Sequence, residues 1–156
     1  MAVPIIGSYV RAIPRFQDDR GYLCEIARLD WFEFAHFPIC QSNLTMSYPG
    51  IIKAFHWHKE QDDLWFVVKG TIQAVLYDLR PDSMTYQQTD THYLGENNPI
   101  LLKIPRYVAH GYKVVGNEPA TLIYFVNKLY DPRNPDEQRI PHDDPSIGYD
   151  WSTKMR

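Results

Sequence analysis

The segment Gly50-Ile-Ile-Lys-Ala-Phe-His-Trp-His58, which continues through Asp63 to Gly70, says most about the fold of this chain. It predicts strands over Ile51–His58 and Asp63–Lys69, with a glycine before the first and after the second, and it places His56 and His58 two residues apart on the first strand. Side chains at positions i and i+2 of a strand point to the same face. The two imidazoles are therefore expected to project together, into a pocket if the sheet is curled into a barrel. Such a pair suits either a metal site or an acid–base site.

Short β-rich runs, separated by proline, glycine and asparagine, make up most of the remaining chain. Such runs predict strands, here over Ser8–Ile13, Gly21–Ala27, Cys40–Tyr48, Ile51–His58, Asp63–Lys69, Thr71–Asp78, Thr89–Leu94, Pro99–Ile104, Ala109–Val115 and Ala120–Leu129. Helical periodicity is confined to Leu29–Phe37, where a short helix is expected with Asp30 as its N-cap. Residues 131–151, rich in proline and aspartate, predict an irregular C-terminal segment. Many evenly spaced strands with little helix predict an all-β jelly-roll barrel, formed as a single domain over residues 1–156.

The composition excludes several classes of protein. A net charge of −3 over 156 residues, without a lysine or arginine cluster, argues against nucleic-acid binding. No apolar run approaches the ~18 residues of a membrane-spanning helix, and the first residues lack the basic start of a signal peptide. Cys24 and Cys40 are too few for a disulfide framework and are expected to be reduced thiols. These features predict a cytoplasmic protein that does not contact a membrane.

Two motifs resemble those of the cupin superfamily. The first is G-x5-H-x-H-x4-D-x6-G from Gly50 to Gly70, with Asp63 where glutamate is usual. The second is Pro105-Arg-Tyr-Val-Ala-His110, with Tyr107 where glycine is usual, so that a differently built turn is expected there. The resemblance implies that one divalent metal, such as Zn, Fe, Ni or Mn, could be held by His56, His58, Asp63 and His110.

A closer resemblance covers most of the chain, from about Phe16 to Trp151. In their order, the motifs Phe16–Tyr22, Gln41–Asn43, Lys53–Trp57, Tyr77–Arg80, Ile104–Gly111 and Asp144–Trp151 resemble the dTDP-4-dehydrorhamnose 3,5-epimerase family. That family is a cupin-type jelly roll. Membership would imply a homodimer that acts on a nucleotide-sugar substrate and needs no metal cofactor.

The resemblance also implies roles for individual residues. His56 matches the family's catalytic base, and Asp144 matches the carboxylate that completes its His–Asp dyad. Tyr124 matches the tyrosine that acts as acid on the opposite face of the sugar, and Tyr130 is the alternative candidate. The positions expected to contact the substrate or shape its pocket are Arg20, Gln41, Asn43, Lys53, His58, Asp63 and His110. In the family, the equivalent of Arg20 can reach the neighbouring subunit's site.

The chain departs from the family pattern at three of these positions. Asp63 stands where the family has a lysine that helps to stabilise the enolate. His58 stands where it has glutamine, and Lys53 where it has arginine, which loses the bidentate fork for phosphate. One interpretation is that a bound metal replaces the lysine as electrophile. The other is that the chain binds a different sugar nucleotide, to which His58 and Asp63 form hydrogen bonds.

The chemistry of epimerisation explains these residue types. Inverting a carbon next to a ketone requires a base to remove a proton and an acid to return one to the other face, and an imidazole is a suitable base at neutral pH. The leading hypothesis is therefore an isomerase that epimerises a nucleotide-linked 4-keto-6-deoxy sugar at C3, C5 or both, with a 3,4-ketoisomerase as a close variant. The alternatives are a metal-dependent cupin enzyme, either an oxygenase or a metal-assisted isomerase, and a non-catalytic sugar-binding cupin.

Two further segments are expected to be structural. Arg80 follows a strand end at Asp78, where a salt bridge is expected rather than a phosphate contact. Residues 131–137 are expected to be merely solvated.

Overall fold

The computed structural model describes residues 4–31 and 36–154 and shows two five-stranded antiparallel sheets and a separate hairpin. The strands are β1 (Tyr9–Ala12), β2 (Phe16–Asp18), β3 (Gly21–Leu23), β4 (Gln41–Ser47), β5 (Ile52–Trp57), β6 (Asp63–Lys69), β7 (Thr71–Asp78), β8 (Thr89–Gly95), β9 (Ile100–Ile104), β10 (Val108–Val115), β11 (Ala120–Val126) and β12 (Gln138–Arg139). The first sheet has the order β1-β9-β6-β11-β4, and the second has the order β12-β5-β10-β7-β8. Strands β2 and β3 form the hairpin.

This architecture confirms the all-β jelly-roll prediction. Each predicted strand has a counterpart, whereas the short strands β2 and β12 were not predicted. The helix expected over 29–37 is centred on residues 32–35, which lie outside the described part of the chain, and residues 29–31 form a turn and a bend. Within the described residues, no helix is long and apolar enough to cross a membrane.

The main core lies between the two sheets, where alternate side chains of facing strands meet. Its fully buried members include Ile72, Leu76, Leu94, Leu102 and Val108. Burial of apolar surface, as in this core, is the dominant favourable term in folding. The two sheets are thereby held face to face, as a jelly roll requires.

Segments at both ends of the chain cover the outer faces of the sheets. Ile13 and Phe37 pack on Leu64, Phe66 and Leu101 of the first sheet. On the second sheet, the C-terminal segment buries Phe55, Val75, Tyr77 and Ala109 beneath Trp151 and its neighbours. The central strands are thus buried on both faces, which explains their continuous apolar runs.

Asp78 and Arg80 form the predicted structural salt bridge. Asp78 Oδ1 accepts from Arg80 Nε at 2.8 Å, Oδ2 accepts from Thr85 Oγ1 at 2.6 Å, and Arg80 Nη2 also donates to Ile6 O at 2.6 Å. Burial opposes ionisation of Asp78, but these hydrogen bonds outweigh it and hold the pKa of its carboxyl well below the ordinary value. The pair ties the N-terminal segment to the end of β7.

Tyr107 occupies the turn between β9 and β10 in a left-handed conformation, with a φ of 59°. Its backbone N–H donates to His58 O at 2.8 Å, and its carbonyl accepts from Leu79 N at 3.1 Å. The ring lies 5.9 Å from that of Trp57. The expectation of a differently built turn is therefore wrong, because the tyrosine itself adopts the left-handed conformation that favours glycine.

Candidate active site

A cavity of about 440 Å³ lies between the two sheets, beside the main core. Its walls are inward-facing side chains of β4, β6 and β11 on the first sheet and of β5 and β10 on the second. Side chains of His58 and Gln61, which connect β5 to β6, and of residues 128–137 complete the lining. The volume falls within the range of small-molecule sites, roughly 300–1,000 Å³.

A β-bulge in β5 brings Lys53 and His56 to the same wall of this cavity. Between these residues the register with β10 shifts, so that Ala54 and Phe55 together face Gly111. Lys53 and His56 both line the cavity, although they are three residues apart, while Phe55 packs on the outer face of the sheet. Gly111 accommodates the bulge, since a Cβ there would lie 2.2 Å from Ala54 Cβ and 2.7 Å from Lys53 O.

His56 is held by a carboxylate. Its Nδ1 lies 2.5 Å from Glu137 Oε1, and Arg139 Nη2 donates to Glu137 Oε2 at 3.0 Å. Burial raises the pKa of Glu137, but the hydrogen bonds from His56 and Arg139 outweigh it and hold the pKa below its ordinary value. Glu137 is therefore ionised at neutral pH and accepts the Nδ1 proton. This hydrogen bond leaves Nε2 of His56 as the basic nitrogen.

Asp144, which was expected to partner His56, lies elsewhere. Its Oδ1 accepts hydrogen bonds from the backbone N of Ser146 at 2.8 Å and from the Oγ of Ser146 at 2.5 Å, and the residue does not line the cavity. The pairing of β12 with β5 places Glu137 beside His56, whereas the turn that follows Ile140 carries Asp144 past the site. In this structure Glu137 takes the position expected for Asp144.

His58, Asp63 and His110 form a second, buried group in the cavity, with one potential ligand atom from each residue within 4.8 Å of the others. His110 Nδ1 donates to Val108 O at 2.9 Å, and His58 Nδ1 donates to the carbonyl oxygen of Asp136. Burial lowers the pKa of His110 to about 4, although Asp63 acts in the opposite direction. His110 is therefore uncharged at neutral pH.

The two candidate acids differ in their surroundings. Tyr124 lies on β11, in the sheet opposite His56, and burial together with the charges of Asp63 and Glu137 raises the pKa of its phenol. It is therefore protonated at neutral pH. Tyr130 also lines the cavity but is 62% exposed. Tyr124 is thus the tyrosine held within the cavity wall.

Most of the expected substrate contacts lie on the cavity wall. Gln41 Nε2 donates to Asn43 Oδ1 at 2.8 Å, and Lys53 Nζ lies 3.2 Å from Thr45 Oγ1. Arg20 is the exception. It lies on the β2–β3 hairpin, outside this cavity, with its side chain 84% exposed and paired with a neighbouring aspartate.

Comparison with known proteins identifies the family. The model for dTDP-4-dehydrorhamnose 3,5-epimerase matches residues 2–156. The chain belongs to this epimerase family. The spore coat polysaccharide biosynthesis protein SpsL of Bacillus subtilis is 51% identical over 152 residues, which are 97% of this chain and 99% of that protein. The probable low-salt glycan biosynthesis epimerase Agl13 of Haloferax volcanii is 42% identical over 147 residues, 94% of each chain.

A solved structure of another epimerase matches the fold. The dTDP-6-deoxy-D-glucose-3,5-epimerase from Legionella pneumophila, solved in complex with dTDP-4-keto-L-rhamnose, is 25% identical. It has a TM-score of 0.86 and covers 97% of this chain and 81% of its own. The match agrees with the jelly-roll assignment for this member of the epimerase family.

Among the residues of this epimerase's cavity that sequence reasoning missed are Asp136 and Glu137, which form hydrogen bonds with His58 and His56. The expectation that residues 131–137 are merely solvated is wrong. The Asp136 carboxylate accepts hydrogen bonds from the backbone N–H groups of Lys59, Glu60 and Gln61, and its carbonyl accepts from His58. These contacts join residues 75 to 78 positions apart. No local pattern signals them.

Proposed function

We propose that this chain is an isomerase that epimerises a nucleotide-linked 4-keto-6-deoxy sugar at C3, at C5 or at both. One observation carries the proposal: His56, held by ionised Glu137, and protonated Tyr124 line one cavity from opposite sheets. Membership of the epimerase family supports the substrate class, and so does the nucleotide-sugar ligand of the Legionella relative.

In the proposed reaction, Nε2 of His56 removes the proton from the carbon next to the ketone. Glu137 stabilises the imidazolium that forms, because its carboxylate accepts the Nδ1 proton and carries the opposite charge. Tyr124 then donates its phenolic proton to the opposite face of the carbon, which inverts the centre. These proton transfers use side chains alone and need no cofactor.

The remaining cavity residues are proposed to bind the sugar nucleotide. Gln41 and Asn43 present a linked pair of amides, and Lys53 supplies a positive charge for the diphosphate as a single point contact. His58, Asp63 and His110 line the cavity and contribute to its selectivity for the sugar.

The active form is proposed to be a cytoplasmic homodimer. Arg20 lies on the β2–β3 hairpin and does not line its own cavity, and Phe16, Tyr22 and Leu23 on this hairpin are exposed apolar residues. A partner subunit that covers the hairpin would bury these side chains and receive Arg20 beside its site. Light scattering of the purified protein would measure its oligomeric state. Arg20→Gln is expected to raise KM more than it lowers kcat, because Arg20 would contact substrate in the partner's site.

The test is proton exchange with solvent. The protein is incubated in deuterated water with dTDP-4-keto-6-deoxyglucose, and proton NMR follows loss of the C3 and C5 signals and the appearance of epimer. We expect exchange at one or both carbons. His56→Gln should reduce it at least ~100-fold, the usual contribution of a general base. Tyr124→Phe should slow epimer formation more than exchange. His142→Gln, an exposed histidine outside the cavity, is the matched control.

Three outcomes would overturn the proposal. Near-normal turnover in both His56→Gln and Tyr124→Phe would refute the assignment of these residues as base and acid. Saturable binding of nucleotide sugars without any exchange would favour a non-catalytic binding protein. Movement of the carbonyl from C4 to C3 without inversion would identify a ketoisomerase.

A further inference from the structure

Three buried side chains in the cavity are spaced as ligands around a common centre. His58 Nε2 lies 3.9 Å from Asp63 Oδ1, and His110 Nε2 lies 3.7 Å from Asp63 Oδ2. Both separations are too long for hydrogen bonds. Ligand atoms bonded at about 2.1 Å to one ion lie roughly 3–4 Å apart. The spacing therefore fits side chains that share an ion better than side chains that bond to one another.

Hydrogen bonds on the outer nitrogens orient both imidazoles. The Nδ1 atoms of His58 and His110 donate to the carbonyl oxygens of Asp136 and Val108. A carbonyl can only accept, so each Nδ1 carries a proton, and Nε2 is the ring nitrogen that lies nearer to Asp63 in both residues. His58 Nε2 also lies 3.4 Å from Gln61 Nε2. Histidines that bind metals commonly donate their other ring N–H to a carbonyl or carboxylate in this way.

Asp63 is a buried carboxyl group whose hydrogen-bond donors can be named. Its oxygens accept hydrogen bonds from Gln61 Nε2 at 2.8 Å and from Trp65 Nε1 at 3.1 Å. Both donors are neutral, and no lysine or arginine among residues 4–31 and 36–154 forms an ion pair with it. An ionised carboxylate in a buried position is stabilised by an opposite charge. A cation bound between the carboxyl group and the two imidazole Nε2 atoms would supply that charge.

We propose that His58, Asp63 and His110 bind one divalent transition-metal ion, with the remaining coordination positions open to the cavity. Two imidazoles and one carboxylate form a donor set that suits zinc, iron(II), cobalt(II) and their neighbours. His56 is not part of this three-residue group, and its Nδ1 is committed to Glu137. When bound, the ion would supply a Lewis acid next to the substrate. The inference goes beyond the proposed function, because neither metal binding nor its test depends on catalysis.

The test is metal binding by untagged protein after removal of metals with a chelator. Cobalt(II) is titrated in while its visible ligand-field absorption is recorded, and bound metal is counted after dialysis. We expect one ion per chain. A metal concentration about a hundredfold above Kd should raise Tm by roughly 5–10 °C. Asp63→Asn and His110→Gln should each weaken binding by tenfold or more.

Two further variants complete the design. His92→Gln is the matched control, because His92 forms a pair with Asp90 at 3.1 Å without a third ligand, and it should bind cobalt like the wild type. His56→Gln should also keep the metal while it loses proton exchange, so failure of the metal site and failure of the proposed catalysis are distinguishable. Uptake of well under one ion, or equal binding by wild type and Asp63→Asn, would overturn the proposal. If the substituted proteins unfold, X-ray absorption spectroscopy of the cobalt-loaded wild type tests the proposal instead. Imidazole nitrogens in the coordination sphere of cobalt are expected, and a sphere without imidazole would refute the proposed site.

Discussion

The bulge in β5 makes Gly111 a sensitive position for both stability and activity. In Gly111→Ala, the new Cβ would lie 2.2 Å from Ala54 Cβ and 2.6 Å from Ala54 Cα. Ordinary contact begins at 3.4 Å, so β5 would have to move by about 1.2 Å at this point. Overpacking of this kind costs about 1–3 kcal/mol. Because backbone atoms and not a flexible side chain are in the way, we expect the upper part of that range.

The displaced residues include the two side chains of the bulge that line the cavity. Lys53 and His56 lie on either side of the Ala54–Phe55 pair, and a shift of about 1 Å in a catalytic group, here the proposed base His56, can reduce the rate roughly 100-fold. Urea unfolding measures the stability of the variant, and the deuterium-exchange assay measures kcat at a temperature where the variant remains folded.

A control separates the close contact from the general cost of replacing a glycine. Gly116 has a positive φ of 83°, and its Cβ would meet open space. Gly116→Ala should therefore cost only about 1 kcal/mol of backbone strain and leave kcat within twofold. If Gly111→Ala loses less than about 0.5 kcal/mol and keeps full activity, the tight contact between β5 and β10 does not exist as described.

Three further predictions follow from individual side chains. Glu137→Gln should lower kcat by about 10- to 150-fold, since a hydrogen bond to a charged partner contributes about 1.5–3 kcal/mol; a larger effect of Asp144→Asn in the same assay would contradict the pairing with His56. Asp78→Asn should reduce the free energy of unfolding by about 3 kcal/mol at pH 7. The lowered pKa of Asp78 means that its contribution is present above pH ~4 and is lost as the pH falls below that value. The difference between wild type and variant in urea unfolding should therefore shrink towards pH 3, and a constant difference would contradict this account. Tyr107→Val should be less stable than Tyr107→Asn by about 1–2 kcal/mol, because β-branched residues tolerate a positive φ poorly; equal thermal stabilities would argue against the left-handed turn.

The strands were predictable because their signals are local. Alternating apolar residues and flanking proline or glycine mark β4 to β11 within short windows of sequence. Strands β2 and β12 contain three and two residues, too few for any periodicity, and each exists only through its partner. The i, i+2 spacing likewise placed His56 and His58 on the same cavity wall.

The missed parts of the site depend on contacts between distant residues. Glu137 reaches His56 across 81 positions of sequence, and its acidic neighbours look like an ordinary solvated run. The motif resemblance favoured Asp144, since motif order says nothing about which carboxylate the pairing of β12 with β5 brings to the histidine. The bulge opposite Gly111 depends on the register between two strands, and register cannot be read from either strand alone.

The path of the C-terminal segment also sets the order in which the site can be completed during synthesis. All strands that wall the cavity precede residue 127, whereas the groups that hold His56 and His58 come from residues 136 and 137. A nascent chain emerges from the ribosome N-terminal end first. The last strand of the cavity wall, β11, ends only ten residues before Asp136, so the barrel and the partners of both histidines are completed from the same C-terminal part of the chain. A chain that ends before residue 136 would lack the groups that orient both histidines, even where every strand of the cavity wall is present.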